Sequence, residues 1–176
     1  CGSGPSLDAS LDQLKTLSRT HWITACGSNL RTLKANGIRV DFLVLMERSD
    51  DTFTDIKEVV DEYGAGDTRL IASSTCHWQL GGLFVDNMSF FRPALTPLAL
   101  FSDVPAEVLN FEGPESINAG VALAAALGMD ELVLVGVDLG ARTLKKLRSE
   151  DAVGSTERDL NLEVAGNFGG SVFTSS

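Results

Sequence analysis

Strand-like and helix-like spacings of apolar residues alternate along this chain, and that alternation constrains its fold more than any other feature. Residues 42–46 (Phe-Leu-Val-Leu-Met) are continuously apolar, which is typical of a strand covered on both faces. Residues 7–17 instead carry leucines at helical spacing and predict an amphipathic helix with Ser6 or Asp8 as its N-cap. Strands alternating with helices predict a Rossmann-like α/β fold with a doubly wound, mainly parallel sheet.

The other predicted elements follow the same alternation. Strands are expected at 22–26, 70–72 and 132–137, helices at 28–35, 55–63 and 117–127, and a closing hairpin or loop between 160 and 174. Residues 132–137 are the clearest parallel-type strand, and the alanine-rich helix 117–127 is apolar nearly all round, which predicts burial. Residues 74–100 lack a sustained period and fit a lid, an irregular insertion or a pair of edge strands. The charged segment 142–158 is predicted as an exposed loop or short helix.

Composition restricts the possible partners and compartments. The chain has 14 Lys and Arg against 24 Asp and Glu, so its formal net charge of -10 disfavours binding to nucleic acid or an anionic membrane. Cys1, Cys26 and Cys76 show no metal-binding spacing, and their sparse, odd number favours a reduced, cytoplasmic protein. A chain that opens on a glycine loop is expected to lack the strand before it. We therefore expect residues 1–176 to be a single nucleotide-donor-binding domain from a larger protein.

The opening loop, Gly2-Ser3-Gly4-Pro5-Ser6, stands where a first strand would lead into a first helix. In doubly wound folds, ligands bind beyond the carboxyl ends of the strands. Glycines allow close backbone approach to a ligand, and the start of a helix presents unpaired N–H groups to phosphate. The loop is neither a GxGxxG fingerprint nor a Walker A loop. An ordinary turn with a serine N-cap is the alternative interpretation.

The other candidate site residues lie at the ends of predicted strands or at the start of a predicted helix. Ser116 starts the alanine-rich helix, where its hydroxyl either caps the helix or faces a phosphate or base. Asp138 ends the clearest strand and is a candidate to bind ribose, metal or an acceptor, or to cap a turn. Glu47 and Arg48 follow the apolar run 42–46, and Asn29 lies in the loop after the first predicted strand.

The two histidines do not indicate a metal site. His21 lies beside Trp22 just before a strand, which favours a structural role. His77 is a candidate general base, but no acid accompanies it in the sequence. No cluster has zinc-ligand spacing, so no metal-binding residue is predicted.

Three blocks together resemble a known family. They are residues 1–7 (Cys-Gly-Ser-Gly-Pro-Ser-Leu), residues 116–138 with their closing Leu-Val-Leu-Val-Gly-Val-Asp, and residues 164–170 (Val-Ala-Gly-Asn-Phe-Gly-Gly). This combination resembles the domain shared by the motility-associated factor (Maf) flagellin glycosyltransferases and the archaeal 6-hydroxymethylpterin diphosphokinases. Residues 38–42 fit the same pattern, with Arg39-Val40 where a Pro before Asp is expected.

The first two blocks are also similar to small bacterial sialyltransferases that use CMP-sialic acid. Their Gly-Asn-Gly-Pro-Ser-Leu loop matches residues 2–7 with Ser3 replacing Asn, and their nucleotide-contacting serine matches Ser116. Those enzymes carry a catalytic histidine after the Asp that matches Asp138, whereas residues 140–158 contain none. The resemblance therefore implies that another group, or the departing CMP phosphate, serves as the base.

The resemblance implies a glycosyltransferase that moves a nonulosonic acid from a CMP donor to Ser/Thr of flagellin or another protein, with no tightly bound cofactor. Gly2, Ser3, Gly4, Pro5, Ser6, Asn29, Arg48 and Ser116 would hold the nucleotide-sugar, and Asp138 and Glu47 would be catalytic. One alternative is pterin diphosphokinase activity with ATP and Mg²⁺, for which Asp138 and Glu47 are the nominated carboxylates. Another is a non-catalytic nucleotide-binding module.

Overall fold

The computed structural model describes residues 1–93, 108–138, 140–141, 148–153, 162–166 and 169–174. Its α-helices are α1 (Leu11–Leu17), α2 (Leu30–Ala35), α3 (Asp50–Tyr63) and α4 (Ser116–Ala126), with 3₁₀ helices at Pro5–Ser10 and Trp78–Leu83. Its strands are β1 (Thr24–Cys26), β2 (Phe42–Leu45), β3 (Arg69–Ser73), β4 (Asn87–Phe90), β5 (Leu162–Ala165) and β6 (Ser171–Thr174).

The first four strands form one parallel sheet in the order β1-β2-β3-β4. In its register, Leu43 lies opposite Ala25 on one side and Leu70 on the other. Strands β5 and β6 form a separate antiparallel hairpin, which confirms the hairpin alternative for the end of the chain. The prediction of an α/β fold with a mainly parallel sheet is confirmed.

Alternate residues of β2 enter two different cores, so the sheet is covered on both faces. Leu43 and Leu45 are fully buried in the core that also contains side chains from α2 and α3. Phe42 and Val44 belong to the opposite core, which contains Ala119 and Leu123 of α4. A strand covered on both faces has no polar side to its sequence, and this explains the continuous apolar run. The sheet is doubly wound.

Residues 1–4 have hydrogen-bonded neighbours on both sides, one early and one late in the sequence. The nitrogen of Cys1 donates to Thr24 O (2.6 Å), and Cys26 N donates to Cys1 O (3.0 Å). On the other side, Gly2 N donates to Val135 O and Gly4 N to Gly136 O, both at 2.8 Å. The backbone of residues 1–4 therefore lies between β1, the next strand along the chain, and residues 135–136, which come late in the chain. This is a topological switch point, the place where ligands bind in open α/β sheets.

Residues 132–137 do not form the predicted strand. Leu132, Val133 and Leu134 are 49%, 61% and 54% exposed. Among the described residues, the backbone bonds to this segment come from Gly2 and Gly4 and reach residues 135 and 136. An apolar run forms a strand only where a partner pairs along its length, and sequence composition does not show the partner.

Three predicted helices differ in detail. The first begins as a 3₁₀ helix after Gly4, with no side-chain cap from Ser6 or Asp8. Helix α3 starts at Asp50 rather than at residue 55, because the Ser49 side chain accepts the Thr52 N–H. Helix α4 is not buried all round. Its buried face consists of Ser116, Ala119, Gly120 and Leu123, and alanines cover much of the exposed remainder.

The irregular stretches are partly described. Between residues 74 and 93 the chain forms the second 3₁₀ helix and β4, which pairs in parallel with β3. Residues 94–100 lie outside the described residues. Within the charged segment, residues 148–153 form an irregular loop, as one alternative predicts, but the loop is only partly exposed. Ser149 and Val153 are buried, and their N–H groups donate to Ser3 O and Ser28 O. Residues 142–147 and 154–158 are outside the described ranges.

Among the residues that the structure describes, no helix is long and apolar enough to cross a membrane.

Candidate functional site

The predicted site residues gather at the carboxyl edge of the parallel sheet, in two clusters. The first is the glycine loop, residues 2–6, together with Asn29 and Asp138. The second is the pair of Glu47 and Ser116, which joins the end of β2 to the start of α4. Both clusters lie beyond strand ends, as expected for this fold.

Asp138 holds the glycine loop in place. Its Oδ2 accepts the Ser6 N–H at 2.8 Å, at the start of the first 3₁₀ helix. A Cβ on Gly4 would lie 2.7 Å from the Asp138 Cβ, and a Cβ on Gly2 would lie 3.1 Å from the Gly136 carbonyl carbon. Such separations are too short for a real side chain, so glycine at both positions permits this close approach.

The loop amides already have partners. The N–H groups of Gly2, Gly4 and Ser6 donate to Val135 O, Gly136 O and Asp138. The Asp138 carboxylate occupies the position at the start of the helix that suits an anion. A phosphate that used the Ser6 N–H would therefore have to displace this carboxylate. A phosphate at this loop could bind the Ser3 and Ser6 hydroxyls, or take the position of the Asp138 carboxylate. The N–H groups of Gly2, Gly4 and Ser6 are already hydrogen-bonded within the chain.

The Asn29 side chain holds the start of the glycine loop by hydrogen bonds. Its side chain is fully buried, and its Nδ2 donates to Cys1 O (2.7 Å) and Gly2 O (3.0 Å). Its Oδ1 has no hydrogen-bond partner among the described residues. Sequence reasoning placed Asn29 in the correct loop, and the contacts give it a structural part in shaping residues 1–2.

Ser116 and Glu47 form the second cluster. The Ser116 hydroxyl donates to both carboxylate oxygens of Glu47, at 3.0 Å each, and Met46 N donates to Glu47 Oε2 at 3.1 Å. Ser116 is not the cap of α4. The N-cap is Glu115, whose side chain forms a capping box with Asn118. The capping interpretation of Ser116 is therefore wrong.

A cleft of about 310 Å³ opens beside Glu47. Its apolar floor is formed by Leu45, Ile56 and Val153, and its rim carries carboxylates, hydroxyls and the Arg148 guanidinium. Arg148 Nη1 donates to Ser28 Oγ and to Val153 O, both at 3.0 Å. Lining residues are Gly27, Ser28, Leu45, Glu47, Ser49, Asp51, Thr52, Asp55, Ile56, Arg148 and Val153. Of the predicted site residues, Glu47 lines this cleft; Arg48 is exposed next to it in the chain.

Carboxylates dominate the local electrostatics. Burial raises the pKa of Asp55, and the neighbouring charges of Glu58 and Asp51 raise it further. Burial, together with the charge of Glu47, raises the pKa of the Cys76 thiol to about 12. Burial and neighbouring carboxylates thus disfavour the negatively charged forms of Asp55, which lines the cleft, and of Cys76.

His77 has an acid partner that the sequence did not reveal. Its Nε2 lies 3.6 Å from Asp50 Oδ1, its Nδ1 accepts the Gln79 N–H, and its ring stacks on Phe53 at 4.5 Å between centroids. An accepting Nδ1 places the proton of the neutral ring on Nε2. These contacts make His77 the N-cap of the second 3₁₀ helix, and the lone pair of Nδ1 is already used by the Gln79 N–H.

Two arginine side chains were not predicted as site residues from the sequence. Arg148 reaches the cleft from the charged segment, and Arg92 follows β4 and pairs with the buried Glu112 (3.6 Å). Neither has a distinctive sequence context, because both lie in stretches without a regular period. Within the described ranges, no group of three or more His, Cys, Asp or Glu is arranged to hold a metal ion.

Comparison with known proteins agrees with this architecture. The solved structure of the MAf glycosyltransferase from Magnetospirillum magneticum AMB-1 matches with a TM-score of 0.81 and 36% sequence identity, over 99% of this chain and 26% of that chain. This chain thus spans about a quarter of the length of that protein. No curated protein gives a significant sequence match. The profile of the family described as 6-hydroxymethylpterin diphosphokinase MptE-like matches residues 1–143. The chain therefore belongs to the 6-hydroxymethylpterin diphosphokinase MptE-like family.

Proposed function

We propose that this chain is the donor-binding domain of a glycosyltransferase that moves a nonulosonic acid from CMP to a Ser or Thr hydroxyl of flagellin or another protein. The observation that carries the proposal is the Glu47 carboxylate, which lines a cleft at the carboxyl edge of the sheet and is fixed there by Ser116. The similarity to the MAf glycosyltransferase supports the reaction class. The CMP donor and the protein acceptor come from the resemblance of the sequence motifs.

The donor belongs at the switch point. The Ser3 and Ser6 hydroxyls of the glycine loop are available beside the Asp138 carboxylate, which fixes the loop through the Ser6 N–H. Bound phosphate would replace this carboxylate at the helix start or sit next to it on the serine hydroxyls. Asp138 then acts by shaping the loop, and Arg48, which lies exposed beyond β2, supplies a cation for the donor phosphate.

Glu47 takes the role that a histidine fills in the similar sialyltransferases. The acceptor hydroxyl gives its proton to the Glu47 carboxylate while its oxygen forms a bond to the anomeric carbon of the sugar. The bond between that carbon and the phosphate oxygen breaks, and CMP leaves with the electron pair. All atoms and electrons of this step are accounted for without a metal ion or a redox partner. Orientation of the acceptor and general-base assistance supply the rate.

The test is a transfer assay with a CMP-nonulosonic acid and a flagellin-derived Ser/Thr peptide, read by the mass increase of the peptide. Glu47→Gln should lower kcat by roughly 100-fold or more, the usual contribution of a general base. Glu58→Gln, an exposed carboxylate of α3 outside the cleft lining, is the matched control and should retain the wild-type rate. Full activity in Glu47→Gln would contradict the proposal.

The family description favours a second candidate, diphosphate transfer from ATP to 6-hydroxymethylpterin with Mg²⁺. Its nominated carboxylates have separate partners: Asp138 accepts from Ser6, and Glu47 accepts from Ser116. In the described part of the chain, no three His, Cys, Asp or Glu side chains converge where they could hold a metal ion. Formation of the pterin diphosphate that stops on chelation would establish this activity instead. Nucleotide binding without either reaction would indicate a non-catalytic module.

A further inference from the structure

Ser116 makes a contact that its sequence context did not predict. As a match to a nucleotide-contacting serine, it was expected to face the donor. In the structure it is 5% exposed, and its hydroxyl donates to both oxygens of Glu47 at 3.0 Å. A hydroxyl has one proton to donate, and here that proton is directed at a carboxylate.

The position of this hydroxyl is fixed by packing. Ser116 is the first residue of α4, a helix whose Ala119 and Leu123 are buried in the core beneath the sheet. The capping box of Glu115 and Asn118 satisfies the N-terminus of the helix without the Ser116 side chain. The hydroxyl is therefore held by an element that the core anchors, and it remains available for Glu47.

The carboxylate is held from a second direction as well. Met46 N donates to Glu47 Oε2 at 3.1 Å, from the end of β2. Gly27 lies beside this pair with a φ of 76°, and a Cβ there would lie 3.9 Å from both Glu47 Oε1 and the Ser116 Cβ. Glu47 has an exposed side chain and would sample several rotamers in water, so these two bonds select one orientation.

We infer that Ser116 is a positioning residue, which orients the Glu47 carboxylate toward the cleft and does not itself bind the nucleotide. This inference rests on the proposed function, in which Glu47 receives the proton of the acceptor hydroxyl. A base held in one orientation accepts the proton without first losing rotamer freedom. Removal of the Ser116 hydroxyl therefore lowers the rate of transfer and leaves donor affinity in place.

The kinetic test separates positioning from binding. Ser116→Ala should lower kcat about tenfold and change the KM for the CMP donor less than twofold, whereas Ser116→Thr should restore most of the rate. Ser73→Ala is the matched control, because it also removes a buried hydroxyl at the carboxyl edge of the sheet, one bonded to Thr75. The control should keep the wild-type kcat. A raised KM with unchanged kcat in Ser116→Ala would make Ser116 a donor contact and overturn the inference.

A second measurement does not depend on activity. The urea midpoints of Ser116→Ala, Glu47→Ala and the double variant form a double-mutant cycle, because alanine at either position removes one partner of the hydrogen bond. Coupling through the hydrogen bond predicts that the double variant loses less stability than the sum of the two single losses. Strict additivity would overturn the inference, even for a protein that transfers no sugar. Absence of transfer by the wild-type chain, with coupling present, would instead count against the proposed function alone.

Discussion

Gly4 allows the closest approach in the glycine loop, since the Asp138 side chain occupies the space that a Cβ would need. Gly4→Ala would push Asp138 away and break its bond to the Ser6 N–H. We expect a loss of about 1–3 kcal/mol in the free energy of unfolding, typical of overpacking. Gly82→Ala is the control, because a Cβ at Gly82 meets nothing within 4 Å. Urea denaturation would measure both, and equal midpoints for the two variants would contradict the role given to Gly4.

Cys76 should make stability fall at alkaline pH. Its thiol has a pKa of about 12 in the folded chain, against an ordinary value of 9.0, first because of burial and then because of Glu47. The folded state therefore binds this proton more tightly than the unfolded state, and the stability it contributes below pH 9 is lost as the pH rises toward 12.

Urea midpoints at pH 8 and pH 10.5 would reveal this effect. The wild-type chain should lose more stability over that interval than Cys76→Ala, in which the thiol cannot ionise. Other titrating groups are shared by the two proteins and cancel in the comparison. An identical loss in both would show that Cys76 does not carry the predicted shift.

At the scale of elements, the start of α3 depends on one side chain. The Ser49 hydroxyl accepts the Thr52 N–H, whereas Ser10, at the start of α1, makes no such bond. Ser49→Ala should cost about 1 kcal/mol of unfolding free energy, the usual value for loss of an N-cap. Ser10→Ala should cost clearly less, because it removes no capping bond. A thermal or urea unfolding series would decide, and equal losses would rule out the cap.

Elements governed by local patterns were predictable, and those governed by distant partners were not. The run Phe42–Met46 is apolar because both faces of β2 are covered, so its sequence reports its burial directly. Residues 132–137 have the same composition but lack pairing along their length in the described chain. Periodicity describes the segment itself and carries no information about its neighbours in the fold.

In the candidate site too, local sequence features were predictable and contacts between distant residues were not. The glycine loop was singled out as the turn before a first helix, and Asp138 as the end of a predicted strand. That strand does not form, but the structure joins Asp138 to the loop through the Ser6 N–H. The bond between Ser116 and Glu47 links residues 69 positions apart in sequence, and no local pattern indicates it. Arg148 was passed over because it lies in a charged, irregular segment that packs on the loops through Ser149 and Val153.

At the scale of the whole molecule, residues 1–4 lie between β1 and residues 135–136 and place the glycine loop at the switch point. Helix α4 covers the opposite face of the sheet from α2 and α3 and brings Ser116 to Glu47 at the same edge. We propose that this edge binds the nucleotide of a CMP-linked donor.

The most direct test is the unfolding temperature of the chain with CMP, CTP, UDP, GDP, and ATP with and without Mg²⁺. CMP and CTP should stabilise the folded chain, by about 2.7 kcal/mol at a hundredfold excess over Kd. This stabilisation should weaken in Ser3→Ala and persist in Ser74→Ala, which removes an exposed hydroxyl outside the glycine loop. Stabilisation by ATP and Mg²⁺ alone, or by none of these nucleotides, would contradict this proposal.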